Sequence, residues 1–198
     1  MNANWVANGL SQDLPPLVVM QGVRNGVELA IWRSAAGKLS AWKDRCPHRG
    51  MRLSHGFVRG ETLACIYHGW VYGTNGACHH IPAHPAMVPP ATIRTEAFLC
   101  REQDGIIWIG TGQPVDGPPV VDGCKAVRSM TVAAGAAALA QALPQLSALC
   151  PSMLRGTIDA GTHRAEVCLL LQEKPAQQTA VQQTAVHALC GADDDRVA

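Results

Sequence analysis

The sequence predicts a mainly β protein, an all-β domain of antiparallel sheets followed by a short α+β C-terminal extension. Two observations carry this. From residue 17 to about residue 110, short apolar runs alternate with turn residues, the pattern of many short strands. The stretch Gly110-Thr-Gly-Gln-Pro-Val-Asp-Gly-Pro-Pro119 then stops both helix and strand, and the composition shifts beyond it. The expected domains are residues 1–112 and 120–198.

Taken in order, the expected strands cover residues 17–21, 27–33, 39–43, 62–65, 70–72 and 105–109, with turns at Asn25-Gly26, Ala36-Gly37 and Asn75-Gly76. Asn-Gly supplies the positive φ angles of tight hairpins. In the extension, residues 130–149 are rich in Ala, Leu and Gln and predict a helix that Gly135 and Pro144 interrupt or end. Residues 167–171 are wholly apolar and read as a buried strand. Residues 177–181 and 182–186 repeat Gln-Gln-Thr-Ala-Val; two copies are too few for a solenoid and read as a local surface duplication.

The 198 residues can bury a core without help from metal or disulfides. Sixteen basic against fifteen acidic residues leave a net charge of +1, which gives no nucleic-acid footprint. The first ten residues lack the pattern of a signal peptide, and no apolar run approaches the roughly 18 residues of a membrane span. A cytoplasmic protein is expected, binding neither nucleic acid nor membrane. In a reducing compartment the eight cysteines read as thiols or metal ligands.

The strongest chemical signal is a pair of motifs. Cys46-Pro47-His48 and Cys65-Ile66-Tyr67-His68 form C-x-H and C-x2-H, separated by sixteen residues and each followed by a glycine within two positions. In a Rieske-type centre two thiolates hold one iron and two neutral imidazoles the other. Such ligand loops must be tight, and Gly50 and Gly69 suit sharp turns that aim amide N–H groups at the cluster sulfurs. A closed zinc tetrahedron uses the same residue types, although zinc sites usually pair cysteine with cysteine and histidine with histidine at short spacing. Cys78, Cys100, Cys124, Cys150, Cys168 and Cys190 have no partner at short spacing and read as buried thiols.

Cys46-Pro-His-Arg-Gly50 and Cys65-Ile-Tyr-His-Gly-Trp70 resemble the two ligand loops of Rieske proteins, in particular the N-terminal domain of Rieske non-haem iron oxygenases of the ring-hydroxylating type. Trp5-Val-Ala, Asp44-Arg45 and a hairpin over residues 72–82 agree, so the likeness covers roughly residues 4–110. It implies one [2Fe-2S] cluster per chain on Cys46, His48, Cys65 and His68, at the tip of a small all-β domain with both histidines partly exposed. It further implies a reductase or ferredoxin as electron donor, a non-haem iron oxygenase subunit as acceptor, and a homo- or hetero-oligomer. Respiratory Rieske loops carry an additional disulfide. Ile66 and Gly50 leave no spare thiol here, which places the potential toward the low end of the roughly −150 to +300 mV Rieske range.

The oxygenases of this family hold a mononuclear iron on an Asp-x2-His-x4-5-His helix. Residues 111–198 offer only His163 and His187, and Asp159-Ala-Gly-Thr-His163 has the wrong spacing. The extension is therefore expected to be a shortened remnant of a catalytic domain without the ligand motif, and no catalytic residue is assigned. The favoured reading is an electron-transfer protein or subunit. The alternative is an oxygenase component, with monooxygenase or dioxygenase activity, whose iron sits on His163, His187 and Asp159 or Glu166. A redox sensor or structural module is the third. Arg45 and Arg49 either steer an acidic partner or are solvated and paired with Asp44. Trp70 is expected to pack against the cluster loops.

Overall fold

The structure, a computed structural model, describes residues 5–24, 26–110, 117–120, 124–132, 138, 141, 153–159 and 165–172. The strands in order are β1 (Val6–Leu10), β2 (Val19–Arg24), β3 (Val27–Arg33), β4 (Leu39–Lys43), β5 (Phe57–Arg59), β6 (Thr62–Ala64) and β7 (Val71–Gly73). There follow β8 (Cys78–His80), β9 (Ala97–Gln103), β10 (Ile106–Gly110), β11 (Cys124–Val132), β12 (Met153–Asp159) and β13 (Ala165–Gln172). No helix among the described residues is long and apolar enough to cross a membrane. The chain divides into two units, one of Met1–Ser11, Arg24–Gly26 and Arg101–Ala198, the other of Gln12–Val23 and Val27–Cys100.

The second of these units holds both sequence motifs. One sheet runs in the order β9-β4-β3-β2, and another in the order β5-β6-β7-β8. β3 and β4 pair antiparallel from Leu29↔Lys43 to Arg33↔Leu39. Leu29, Ala30, Ile31 and Trp32 are all inaccessible, so β3 is apolar on both faces where a half-exposed strand would alternate. Trp32 meets Trp42 edge to face at 5.1 Å, and Trp42 meets Tyr72 at 6.2 Å. Such contacts add about 0.5–1.5 kcal/mol each beyond simple burial. They tie β3 and β4 to β7, and the same core takes in Leu53, Leu63, Ile81, Cys46, Cys65 and Cys78.

The expected strands at residues 27–33 and 39–43 form with those bounds. β2 starts at Val19 rather than residue 17, because Leu17 sits at φ 68°, a left-handed conformation no strand residue adopts. β7 starts at Val71 because the Trp70 carbonyl closes the preceding loop. β5 and β8 are three residues each, too short to show a period. β1 reads Val-Ala-Asn-Gly-Leu, a turn signal by sequence, yet all five residues are buried.

In the other unit β1 pairs antiparallel with β10, from Val6↔Ile109 to Leu10↔Ile106, with a register shift between Ala7 and Leu10. A three-stranded antiparallel sheet has the order β11-β13-β12. The expected strand at 167–171 lies in β13, the central strand, where a continuous apolar run is flanked on both sides. The helix expected from residue 130 is corrected at its start: residues 130–132 end β11, paired as Met130↔Val167, Thr131↔Glu166 and Val132↔Ala165. Partners thirty-odd residues away outweigh local helix preference there, and Thr131 and Val132 are β-branched. Ala138 and Gln141 are helical; the rest of that segment and the repeat at 177–186 lie outside the described residues.

Candidate metal centre

The two motifs build two loops of the same construction. The first follows β4 and leads into a 3-10 turn at Leu53–His55; the second joins β6 to β7. In each, the cysteine N–H donates to the carbonyl five residues on, Cys46 to Met51 at 2.8 Å and Cys65 to Trp70 at 2.9 Å. The glycine N–H four residues on donates back to the cysteine carbonyl, Gly50 to Cys46 at 2.9 Å and Gly69 to Cys65 at 3.0 Å. The glycine amides thus close the loops and do not face the sulfurs. The N–H groups of Tyr67 and His68 do that, at Cys65.

Both glycines lie in left-handed space, Gly50 at φ 69° and Gly69 at φ 70°. A Cβ at Gly50 meets nothing within 4 Å, whereas one at Gly69 meets Pro82 Cγ at 3.0 Å. Gly50→Ala is expected to cost about 1–2 kcal/mol and Gly69→Ala visibly more, read as urea midpoints; equal costs would show that the contact with Pro82 relaxes freely.

The loops bring the four motif residues together. Cys46 and Cys65 are buried, and their thiols lie within hydrogen-bonding reach of each other. The imidazoles of His48 and His68 meet edge to face at 4.6 Å. His48 is half-buried and His68 exposed. Trp70 stacks flat on His48, 4.4 Å between ring centroids and 4° between planes. Tyr72 Oη lies 3.1 Å from Cys46 Sγ. Burial pushes the Cys65 thiol up, opposed by the Tyr67 and His68 N–H groups. Burial first and Cys46 second push the Tyr72 hydroxyl far up, which keeps it a donor. Burial, then the charges of His68 and Arg49, lower His48.

A two-iron group fits these residues. His48 Nδ1 is buried and has no hydrogen-bond partner, a state that buried polar atoms rarely keep without a ligand. Two thiols form one pair and two imidazoles another, one pair for each iron of such a group. Among the described residues no group of three or more His, Cys, Asp or Glu side chains is placed to hold a metal ion.

A polar network outside the two motifs holds the first loop. Asp44, two positions before Cys46, is inaccessible, and its carboxylate accepts the Ser54 N–H at 2.7 Å and the Ser54 hydroxyl at 2.6 Å. Glu28 on β3 holds Arg52 and, at 3.0 Å, Arg45. Arg45 therefore pairs with Glu28 rather than Asp44, while Arg52 lies 3.9 Å from Asp44. Arg49 is exposed and makes no ion pair among the described residues. A tyrosine three positions past the second histidine's glycine was the one sequence signal available for Tyr72.

A family model described as the Rieske [2Fe-2S] domain matches residues 4–105. The chain belongs to the Rieske [2Fe-2S] domain family. The chain is 40% identical over 128 residues to oxidoreductase NdmD of Pseudomonas putida, covering 64% of this chain and 22% of that protein. It is 42% identical over 122 residues to 4beta-methylsterol monooxygenase of Methylococcus capsulatus, covering 59% of this chain and 32% of that one. The chain thus spans a third or less of these relatives. Dicamba monooxygenase superposes with a TM-score of 0.70 at 18% identity, over 86% of this chain and 76% of that structure, a likeness of fold. Of the second-iron candidates, Asp159 ends β12 and Glu166 lies in β13, while His163 and His187 fall outside the described residues. Cys78 is buried and Cys100 half-buried; Cys124 lies in β11 and Cys168 in β13, while Cys150 and Cys190 are not described.

Proposed function

We propose that the Rieske domain holds one [2Fe-2S] cluster on Cys46, His48, Cys65 and His68 and serves a non-haem iron oxygenase system as its electron carrier. The observation that supports this most is the pairing of thiol with thiol and imidazole with imidazole by two loops of one construction. When bound, the cluster supplies one-electron chemistry. The buried thiols anchor its inner side. Tyr72 donates its hydroxyl hydrogen to Cys46 Sγ and so favours added negative charge there. His68, the more exposed imidazole, offers its ring edge to an acceptor. A reductase or ferredoxin is the donor and an oxygenase subunit the acceptor, as the names of the relatives suggest: several are oxygenase components, and one solved complex joins an oxygenase to a ferredoxin.

Iron and sulfide analysis with the electron paramagnetic resonance spectrum of the dithionite-reduced protein tests the reading. Two irons, two sulfides and a Rieske-type signal are expected. A third iron with oxygen uptake would favour an oxygenase component with its own mononuclear site, and zinc without sulfide would overturn both. The Tyr72 bond has its own readout. Tyr72→Phe is expected to lower the reduction potential by about 20–60 mV, the worth of one modest hydrogen bond to a one-electron centre; an unchanged potential would show that the hydroxyl does not act on the sulfur.

A further inference from the structure

The two loops match in construction, but their histidines do not match in surroundings. Residue five of each loop, counted from its cysteine, supplies the closing carbonyl: Met51 in the first and Trp70 in the second. The Trp70 side chain does not serve its own loop's histidine. It crosses to the other loop and lies flat against His48. The ring neighbours of His68 are Tyr67, tilted by 40° at 3.8 Å, and the edge of His48; no ring among the described residues lies flat on it. The Nδ1 of His48 is buried without a hydrogen-bond partner, as a nitrogen left for a ligand would be.

We propose that Trp70 is a positioning residue for His48. Its indole face fixes the imidazole plane and keeps Nδ1 turned inward, orienting a candidate ligand from outside the ligand set. Backbone pinning makes Trp70 fit for this: its carbonyl is tied to the Cys65 N–H, so the indole starts from a fixed point. A flat contact restrains ring rotation, which an edge contact with His68 alone would leave free. The support is one-sided, holding the half-buried imidazole and leaving the exposed one to its neighbours. This inference rests on the cluster reading given above.

Two variants separate the roles. Trp70→Met installs the residue the first loop already carries at this place, so the loop closure is kept while the flat face is lost. Trp70→Phe keeps a flat face. The reduced proteins are compared by nitrogen electron–nuclear double resonance, which resolves the two ligating imidazoles, and the oxidised proteins by bleaching in excess EDTA. With Trp70→Met, one imidazole nitrogen coupling is expected to shift and broaden while the other stays, and bleaching is expected to quicken about tenfold. Trp70→Phe is expected to restore both. Unchanged couplings in Trp70→Met, equal changes at both nitrogens, or failure of Trp70→Phe to rescue would each overturn the proposal, as would failure of both variants to fold. A wild-type protein without two irons and two sulfides would instead overturn the cluster reading itself.

Discussion

Serine in place of Cys46 or Cys65 is expected to lower bound iron and sulfide by at least about tenfold, since even residues that merely orient metal ligands cost that much when lost. The informative comparison is Cys78→Ser. Cys78 is buried in the same core and is the cross-strand neighbour of Tyr72, whose hydroxyl reaches Cys46. Its thiol lies 3.7 Å from the His80 carbonyl, and burial pushes it up. Cys78→Ser is expected to keep two irons and two sulfides while losing about 1–3 kcal/mol of stability for a buried hydroxyl. Iron and sulfide content with urea midpoints on all three variants decides the matter. Loss of iron in Cys78→Ser, with iron retained in Cys46→Ser, would reassign the ligand.

Asp44→Ala is expected to cost about 3 kcal/mol, through two lost hydrogen bonds to a buried carboxylate. Asp44 and Ser54 bracket the first loop, and their side chains clasp its two ends. The loss should therefore also loosen the loop that carries Cys46 and His48. Arg52 keeps its pairing with Glu28 when Asp44 is removed, so no buried charge is left without a partner. That is why the expected cost falls near 3 rather than the roughly 5 kcal/mol upper end for breaking a buried ion pair. Urea unfolding measures the stability, and the rate at which the protein loses iron to a chelator measures the loop. A variant as stable as the wild type would show that the clasp is redundant with the backbone closure of the loop.

The sequence by itself determined the family and singled out the four candidate residues that the two loops bring together, because spacing is legible in one dimension. A glycine four residues after each cysteine is also a one-dimensional fact, and it becomes a left-handed turn in both loops. The long apolar strands β3, β4 and β13 were equally legible, since their patterns run for five residues or more. Tertiary structure alone decided everything that depended on a distant partner. β5 and β8 are too short to signal themselves and exist because β6 and β7 pair with them. Residues 130–132 turned from expected helix to strand because β13 stands opposite.

The same division holds within the site. Motif spacing presents the two histidines as near equivalents. Only the folded chain lays Trp70 against one of them, buries that ring's Nδ1 and leaves the other exposed. Arg45 and Asp44 are adjacent in sequence, yet the bend that follows β4 sends Asp44 into the interior toward Ser54 and Arg45 outward to Glu28. Local spacing fixes which atoms are available to a cluster. Packing between segments far apart in sequence fixes how each atom is held, because desolvation and orientation depend on neighbours that no local pattern names.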